Sequence, residues 1–255
     1  MKAKGWTVLT VLVMLLALPM LVSADTMIKQ VNERGAFEMM GQKVPAGSDT
    51  STIWLGKGMS RMDEGDTASV IIMAEKNVIY MIDHKTKSYA EVPLDALGDL
   101  SKMVGDDEEA KKQIEAMKPM MEMMRMKLTV TPTEETQKIG DWNCTKYNVK
   151  MTMGMGGGSD IELWATEDAK IDYAAFMELT NSFKGMMPGY EEMIEEMKKI
   201  KGIPIKTLNK MNIMGTEATS VMQIFEIKDM AAPAGTYELP KEYTKTEMGM
   251  PGMGR

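Results

Sequence analysis

Apolar residues recur along this chain in two periods, and the alternation of two dominates. Ile53 and Leu55 point one way and Trp54 the other, within Ser51 to Leu55. The turn Gly56-Lys57-Gly58 leads into Met59 to Asp63, and Glu64-Gly65-Asp66 turns again. Val70 to Ala74 and Val78 to Ile82 are nearly continuous apolar strands joined by Glu75-Lys76-Asn77, and Ser88 to Val92 follows. Strands that are apolar on both sides need cover on both sides. Met27 to Met40 predicts an earlier strand. Lys127 to Thr131, Thr145 to Met153, Asp160 to Thr166, Ile205 to Met211 and Thr219 to Ile227 predict later ones. The alternation is cleanest in Thr145 to Met153, with Tyr147, Val149, Met151 and Met153 on one face.

Helical spacing interrupts this pattern twice. Leu94, Leu97, Leu100 and Val104 repeat at three and four behind Pro93, which suits a first helical turn. A second helix is expected from Asp106, with Glu109 placed for a capping box and Pro119 as a kink. Tyr173 to Met187 carries Tyr173, Phe176, Phe183 and Met187 on one side. After Pro188-Gly189, Tyr190 to Ile200 continues with Tyr190, Met193, Ile194, Met197 and Ile200.

The N-terminus reads as a secretory signal over 1–24. Lys2 and Lys4 precede an apolar stretch, and Val22-Ser23-Ala24 places small residues where signal peptidase cuts, so the mature chain is expected to start at Asp25 in the periplasm or another exported location. No cysteine follows the apolar stretch, so the chain is not itself expected to be lipidated. Residues 25–246 are expected to form one domain, and 247–255 a disordered Met/Gly tail.

The net charge is −7, with no basic stripe, which argues against a nucleic-acid partner. Cys144 is the single cysteine, so no internal disulfide is available; it reads as a small buried residue. His84 is the single histidine and reads as a solvated turn residue, far from any evident Cys144–His84 dyad. The usual Cys/His zinc sets are missing, and no carboxylate pair stands in an apolar setting. The triple glycine at 156–158 joins two strands and lacks the Gly-Lys-Ser/Thr ending of a phosphate loop. No catalytic set, metal site or cofactor is therefore expected. The 32 methionines are the oddity. They read as core filler, as an adaptable apolar cavity, or as thioethers for Cu(I).

These residues carry a resemblance. Trp54-Leu55-Gly56-Lys57-Gly58-Met59-Ser60-Arg61-Met62-Asp63, Ile79-Tyr80-Met81-Ile82-Asp83-His84, Tyr89-Ala90-Glu91-Val92-Pro93, Ile139-Gly140-Asp141-Trp142-Asn143-Cys144, Glu162-Leu163-Trp164-Ala165-Thr166 and Pro233-Ala234-Gly235-Thr236-Tyr237-Glu238-Leu239-Pro240 resemble a family of exported bacterial proteins of unknown function, related to the lipoprotein carriers LolA and LolB. The resemblance implies an α+β fold: an incomplete antiparallel β-barrel, a LolA-like half-barrel, with helices over its concave face and an apolar cavity between. Arg61 is the one candidate by position for the carriers' functional arginine.

The function expected is a non-catalytic, monomeric periplasmic binding or carrier protein for an apolar ligand, either a lipid or a lipoprotein acyl chain. Its partners would be that ligand, a lipidated protein, or a membrane protein of the envelope. Trp54, Tyr80, Trp164, Phe176, Phe183, Met187, Met193 and Met197 are the candidate cavity residues. The alternatives are a methionine-rich Cu(I)-binding protein and an envelope stress or structural module without a ligand.

Overall fold

In the computed structural model, described residues are 25–39, 41–94, 108–109, 112, 115–116, 126–153, 157–169, 190–213 and 215–246. They form a mostly antiparallel sheet that stays open and is not closed into a barrel. The strands are β1 (Asp25–Arg34), β2 (Phe37–Met39), β3 (Gln42–Val44), β4 (Gly47–Gly56), β5 (Met59–Glu64), β6 (Ala68–Met73), β7 (Val78–Asp83) and β8 (Ser88–Pro93). They continue with β9 (Met126–Ile139), β10 (Trp142–Met153), β11 (Gly157–Thr166), β12 (Ile203–Ile213), β13 (Thr216–Met230) and β14 (Thr244–Lys245). One helix, α1 (Tyr190–Met197), lies between β11 and β12. Residues 108, 109, 112, 115 and 116 are also helical.

The order across the main sheet is β14-β8-β7-β6-β5-β4-β1-β13-β12-β11-β10-β9, and β2 and β3 form a separate small hairpin. The first described strand, β1, thus lies in the middle of the sheet. From β4 the chain steps outward through tight hairpins to β8, then re-enters at the far edge with β9 and steps inward to β13, which closes on β1. β14 returns to pair in parallel with β8.

Three register shifts lie at Lys29/Gln30, Thr145/Tyr147 and Trp164/Ala165. Bulges of this kind bend a strand and sharpen its twist. Near them a core cluster draws Ile28, Leu55, Ile139, Cys144, Ile205 and Ile224 from six strands. A second cluster of Val130, Tyr147, Val149 and Ala165 is met by Ile200, just past α1. Gly202, which opens β12, has φ +84°, and a Cβ there would stand 2.0 Å from the Thr166 carbonyl oxygen. Only glycine lets the chain leave α1 and enter β12 at that point.

The strands follow the alternation closely, with three differences. The first expected strand is two, β1 and β2, broken at Gly35-Ala36. β9 runs eight residues past Thr131, through Pro132, to Ile139. β3 and β14 carry little apolar signal and were not expected. Of the expected cover, α1 is described and sits against β9: its Glu196 accepts the Val130 N–H at 2.8 Å, and the Tyr147 hydroxyl accepts the Lys201 N–H at 3.1 Å. Helices over a whole concave face are not shown. The expected helices over 95–104 and 173–187, and most of the one from Asp106, lie outside the described residues, as do 1–24 and 247–255.

Ile205 has no exposed surface. Ile205→Ala is expected to lower the unfolding free energy by about 2–5 kcal/mol, seen as a lower urea midpoint at unchanged slope. A shift within the noise would show that this cluster does not hold the two halves of the sheet.

Candidate functional site

The two faces of β5–β8 have different fates. On one face Ile71, Met73, Val78 and Ile82 are buried beneath Tyr237, Leu239 and Tyr243, from the segment that follows β13. That segment is pinned by a polar network. Arg61 donates from Nε to Asp63 at 2.7 Å, from Nη1 to the Thr236 carbonyl at 3.0 Å and from Nη2 to Ser69 at 3.1 Å. Ser69 donates to Asp63 at 2.5 Å. His84 Nε2 lies 2.6 Å from Ser69 Oγ, and its Nδ1 lies 2.9 Å from the Tyr243 hydroxyl. With the serine proton committed to Asp63, His84 donates from Nε2 to Ser69 and accepts from Tyr243.

Ser69 and His84 thus stand at the distance of a nucleophile and its base, but this pair is built as a clamp. Ser69 is 1% exposed in the middle of β6, and its oxygen is already engaged by Asp63, Arg61 and His84. Acyl transfer needs an accessible oxygen facing hydrogen-bond donors for an oxyanion. His84 is therefore not the solvated turn residue that its Asp-His-Lys context implied; Ser69 and Tyr243 hold it. The signal was not local, since Tyr243 lies 159 residues away in sequence. Arg61, the candidate functional arginine, spends its donors on the protein's own chain.

Further along the segment, the Tyr237 hydroxyl is buried against Gly56, where a Cβ would stand 3.0 Å from it and 2.7 Å from the Asp25 carboxylate. Burial pushes its pKa well above the usual phenol range, and the negative charge of Asp25 adds to this. Asp25 in turn accepts the Ala232 N–H at 3.0 Å.

On the opposite face no such strap is seen among the described residues, although Ile72, Ile79 and Val92 there are buried together with Leu94. Cross-strand pairing sets Ile227, Ile28, Ile53, Met62, Val70, Met81 and Ala90 in one row across seven adjacent strands, from β13 to β8. Beside it run Leu55, Ser60, Ile72, Ile79 and Val92. Residues paired directly across strands share a face, so these two rows are a continuous apolar band. Met81, one strand in from its outer end at Ala90, is 47% exposed. Along β1 and β4 the same face turns polar: the pairs beyond Ile28/Ile53 are Gln30/Ser51, Asn32/Asp49 and Arg34/Gly47. There a cleft of about 300 Å³ opens, lined by Asn32, Arg34, Phe37, Asp49, Asn209 and Ser220, among others. Another cleft of about 390 Å³ is lined by Asn148, Lys150, Asp160, Glu162 and Lys210, whose charges alternate.

The candidate cavity residues are not gathered in one place. Trp54, 8% exposed, and Tyr80 face the strapped side, opposite the apolar band. Burial, then Glu91, pushes the Tyr80 phenol up. Trp164 packs on the cluster around Ile205, with the Lys146 ammonium 5.9 Å from its ring centroid. Met193 is half-buried on α1 and Met197 exposed. Phe176, Phe183 and Met187 lie outside the described residues. The band is lined by Met62, Val70 and Met81, and only register brings them into a row.

Taken together, this is an open antiparallel sheet with one face strapped by its own C-terminal segment and an apolar band on the other. Residues 34–243 match the family described as a domain of unknown function, DUF4412, and the chain belongs to that family. No curated protein matches it. Two solved structures of PNGF-II, in space groups C2 and P21, are similar over 88% of this chain, at 13% and 15% identity and TM-scores of 0.38 and 0.37. The chain spans 31% of the length of each. Among the described residues no helix is long and apolar enough to cross a membrane.

His84→Ala removes the partner of Tyr243 and is expected to speed tryptic cleavage at Lys241 and Lys245, while costing the whole fold only about 1–3 kcal/mol. Equal cleavage in the variant and the wild type would show that the clamp does not hold the segment. Cys144 is almost fully buried, and burial, then the charge of Asp168, pushes its thiol above the usual range. A disulfide reagent should leave it untouched in the native protein and titrate it fully in denaturant. Reaction under native conditions would place it outside the core.

Proposed function

We propose that residues 25–246 form a single exported domain, without catalytic activity, that binds or carries an apolar ligand such as a lipid or a lipoprotein acyl chain. The observation that carries this reading is the part of the row outside the core cluster: Met62 and Val70, half-buried, and Met81, exposed. An apolar face that carries an exposed methionine near its outer end and is not strapped by the C-terminal segment suits a ligand that must also leave. Thioether side chains adapt to varied apolar shapes at little cost. Kinship with the LolA and LolB carriers, implied by the motifs quoted above, is part of this proposal. So is export, in which cleavage after Ala24 would release β1 at its first residue, Asp25.

A fluorescent fatty acid is expected to bind with a dissociation constant of about 1 μM, or about 8 kcal/mol. Met81→Asp should weaken it at least about tenfold, because a charge would then stand beside the acyl chain. Met81 is exposed, so the variant should still fold, which circular dichroism checks. Wild-type protein that binds no acyl ligand would end the carrier reading, and an unaffected Met81→Asp variant would move the ligand off this face.

A further inference from the structure

We propose that the cleft at the polar end of the ligand-bearing face is a head-group site for a zwitterionic amphiphile, one that carries both an anion and an ammonium. The inference rests on the carrier reading and adds the class of ligand. Three observations support it.

First, the cleft continues the surface on which the apolar band lies. Along β1 the positions Ile28, Gln30, Asn32 and Arg34 fall on one face, and along β4 Ile53, Ser51, Asp49 and Gly47 pair with them in turn. Apolar character gives way to polar within three pairs. Ile28 and Ile53, the apolar pair nearest the cleft, are closed into or packed against the core cluster, so an amphiphile with its head in the cleft would have to run its tail past them toward Met62, Val70 and Met81.

Second, Arg34 lines the cleft without an ion pair among the described residues, although Glu33 and Asp49 line it too. Asn209, Ser220, Arg34 and Gly47 form one row across β12, β13, β1 and β4. Gly47 leaves room for the Arg34 guanidinium, since a Cβ there would stand 3.1 Å from Nη2. Arg34 forms no salt bridge among the described residues. Arg34 is exposed, and a free guanidinium suits a phosphate or a carboxylate.

Third, the cleft holds an acceptor without a donor. The Asn209 side-chain oxygen is buried and has no hydrogen-bond partner. By contrast Asn32, in the next row, is satisfied: it accepts from Gln30 at 3.2 Å and donates to Ser51 at 2.7 Å. A buried unpaired acceptor is costly, so turning the half-buried Asn209 amide out to a donor in the cleft would recover that cost. Asp49 lines the same cleft and pairs with Asn32 in register. Asn209 and Asp49 together favour an ammonium over a hydroxyl. Asn209 and Arg34 stand two strands apart, about 10 Å between backbones, and the reach of an arginine side chain reduces that to the span of a small zwitterion.

The test is calorimetric titration of the full domain with three short-chain lipids of equal chain length. These are a phosphatidylethanolamine (anion and ammonium), a phosphatidylglycerol (anion alone) and a diacylglycerol (neither). The expected order of affinity is that order, with the first at least about tenfold tighter than the last, a difference one charge-assisted hydrogen bond can supply. Arg34→Ala and Asp49→Ala should each reduce the advantage of phosphatidylethanolamine and leave diacylglycerol binding unchanged. Both side chains are exposed and distant from the core clusters, so the fold should persist. Equal affinity for all three lipids would overturn the head-group site and leave the carrier reading standing. Phosphatidylglycerol binding as tightly as phosphatidylethanolamine, with Asp49→Ala silent, would overturn the ammonium half. No binding of any of the three would remove the carrier reading itself, and this inference with it.

Discussion

The hydrogen-bonded ladder between β1 and β13 is the constraint on which everything else hangs. It pairs Asp25 with Met230 and Arg34 with Ser220, so the two ends of the domain meet in the middle of the sheet. Each half is a meander of neighbouring strands and can form from local contacts. Joining them means closing a loop of nearly the whole chain, a cost that grows slowly with length but falls before any contact across the join repays it. The segment after β13 then reinforces the joint. It passes Asp25 and Gly56 at the end of β1 and β4, crosses the face of β5–β8, and ends on the edge of β8, where the Thr244 N–H reaches the Lys87 carbonyl at 3.1 Å. The strap belongs to the same joint: without β13 in place, its start would not lie beside β1.

An open sheet has two edges, and both are blunted. At one, β14 adds two parallel pairs to β8, and Lys245 reaches Glu91 at 2.8 Å. At the other, Glu196 takes up the Val130 N–H of β9 while Lys199 holds that carboxylate. Both interactions keep the Glu196 pKa below the usual carboxylate range, the lysine hydrogen bond contributing most. Protonation of Glu196 at acid pH therefore works against folding: what it contributes is present above the ordinary glutamate pKa and is lost as pH falls below it. Further along β9, Pro132 withholds an N–H next to the register shift at Thr145/Tyr147. Both features discourage pairing with a stray strand.

The same Pro132 shows where reading the sequence fails. Proline normally ends a strand, so β9 was expected to stop at Thr131; an edge strand with a bulge tolerates it, and edge position is a tertiary fact. The other strands were legible because alternation records burial directly, as with Tyr147 and Val149, both buried on one side of β10. Opposition of faces was legible too, as for Trp54 against Ile53 and Leu55. Register was not. His84, Ser69 and Tyr243 meet only because β6, β7 and the strap are aligned as they are. Nothing near any one of them in the chain announces the other two. The candidate site suffered the same way. The candidate residues are aromatic and methionine positions read from strand faces and helical stripes, while the band on the opposite face is lined by residues that become a row only through pairing.

Register also settles what the methionines of this sheet do, and the answer differs from one to the next. Met59 pairs with Met73 on the strapped face, packed with Ile71 and Val78 against the C-terminal tyrosines. There a thioether fills irregular space, as leucine would with less freedom. Met62 lies three residues beyond Met59 on the same strand, points to the other face, and continues through Val70 to exposed Met81. A large apolar side chain left half in water loses part of what burial would return, about 25 cal/mol for each Å² left wet. The row is not uniform: Ile28 belongs to the core cluster and Ile53 and Ile227 pack against it, whereas Met62 and Val70 are half-buried and Met81 is exposed. Core packing accounts for the first three, and the proposed ligand would account for the exposure of Met81. Methionines on opposite faces of one strand, Met59 and Met62, thus meet different surroundings, and only the pairing partner tells them apart.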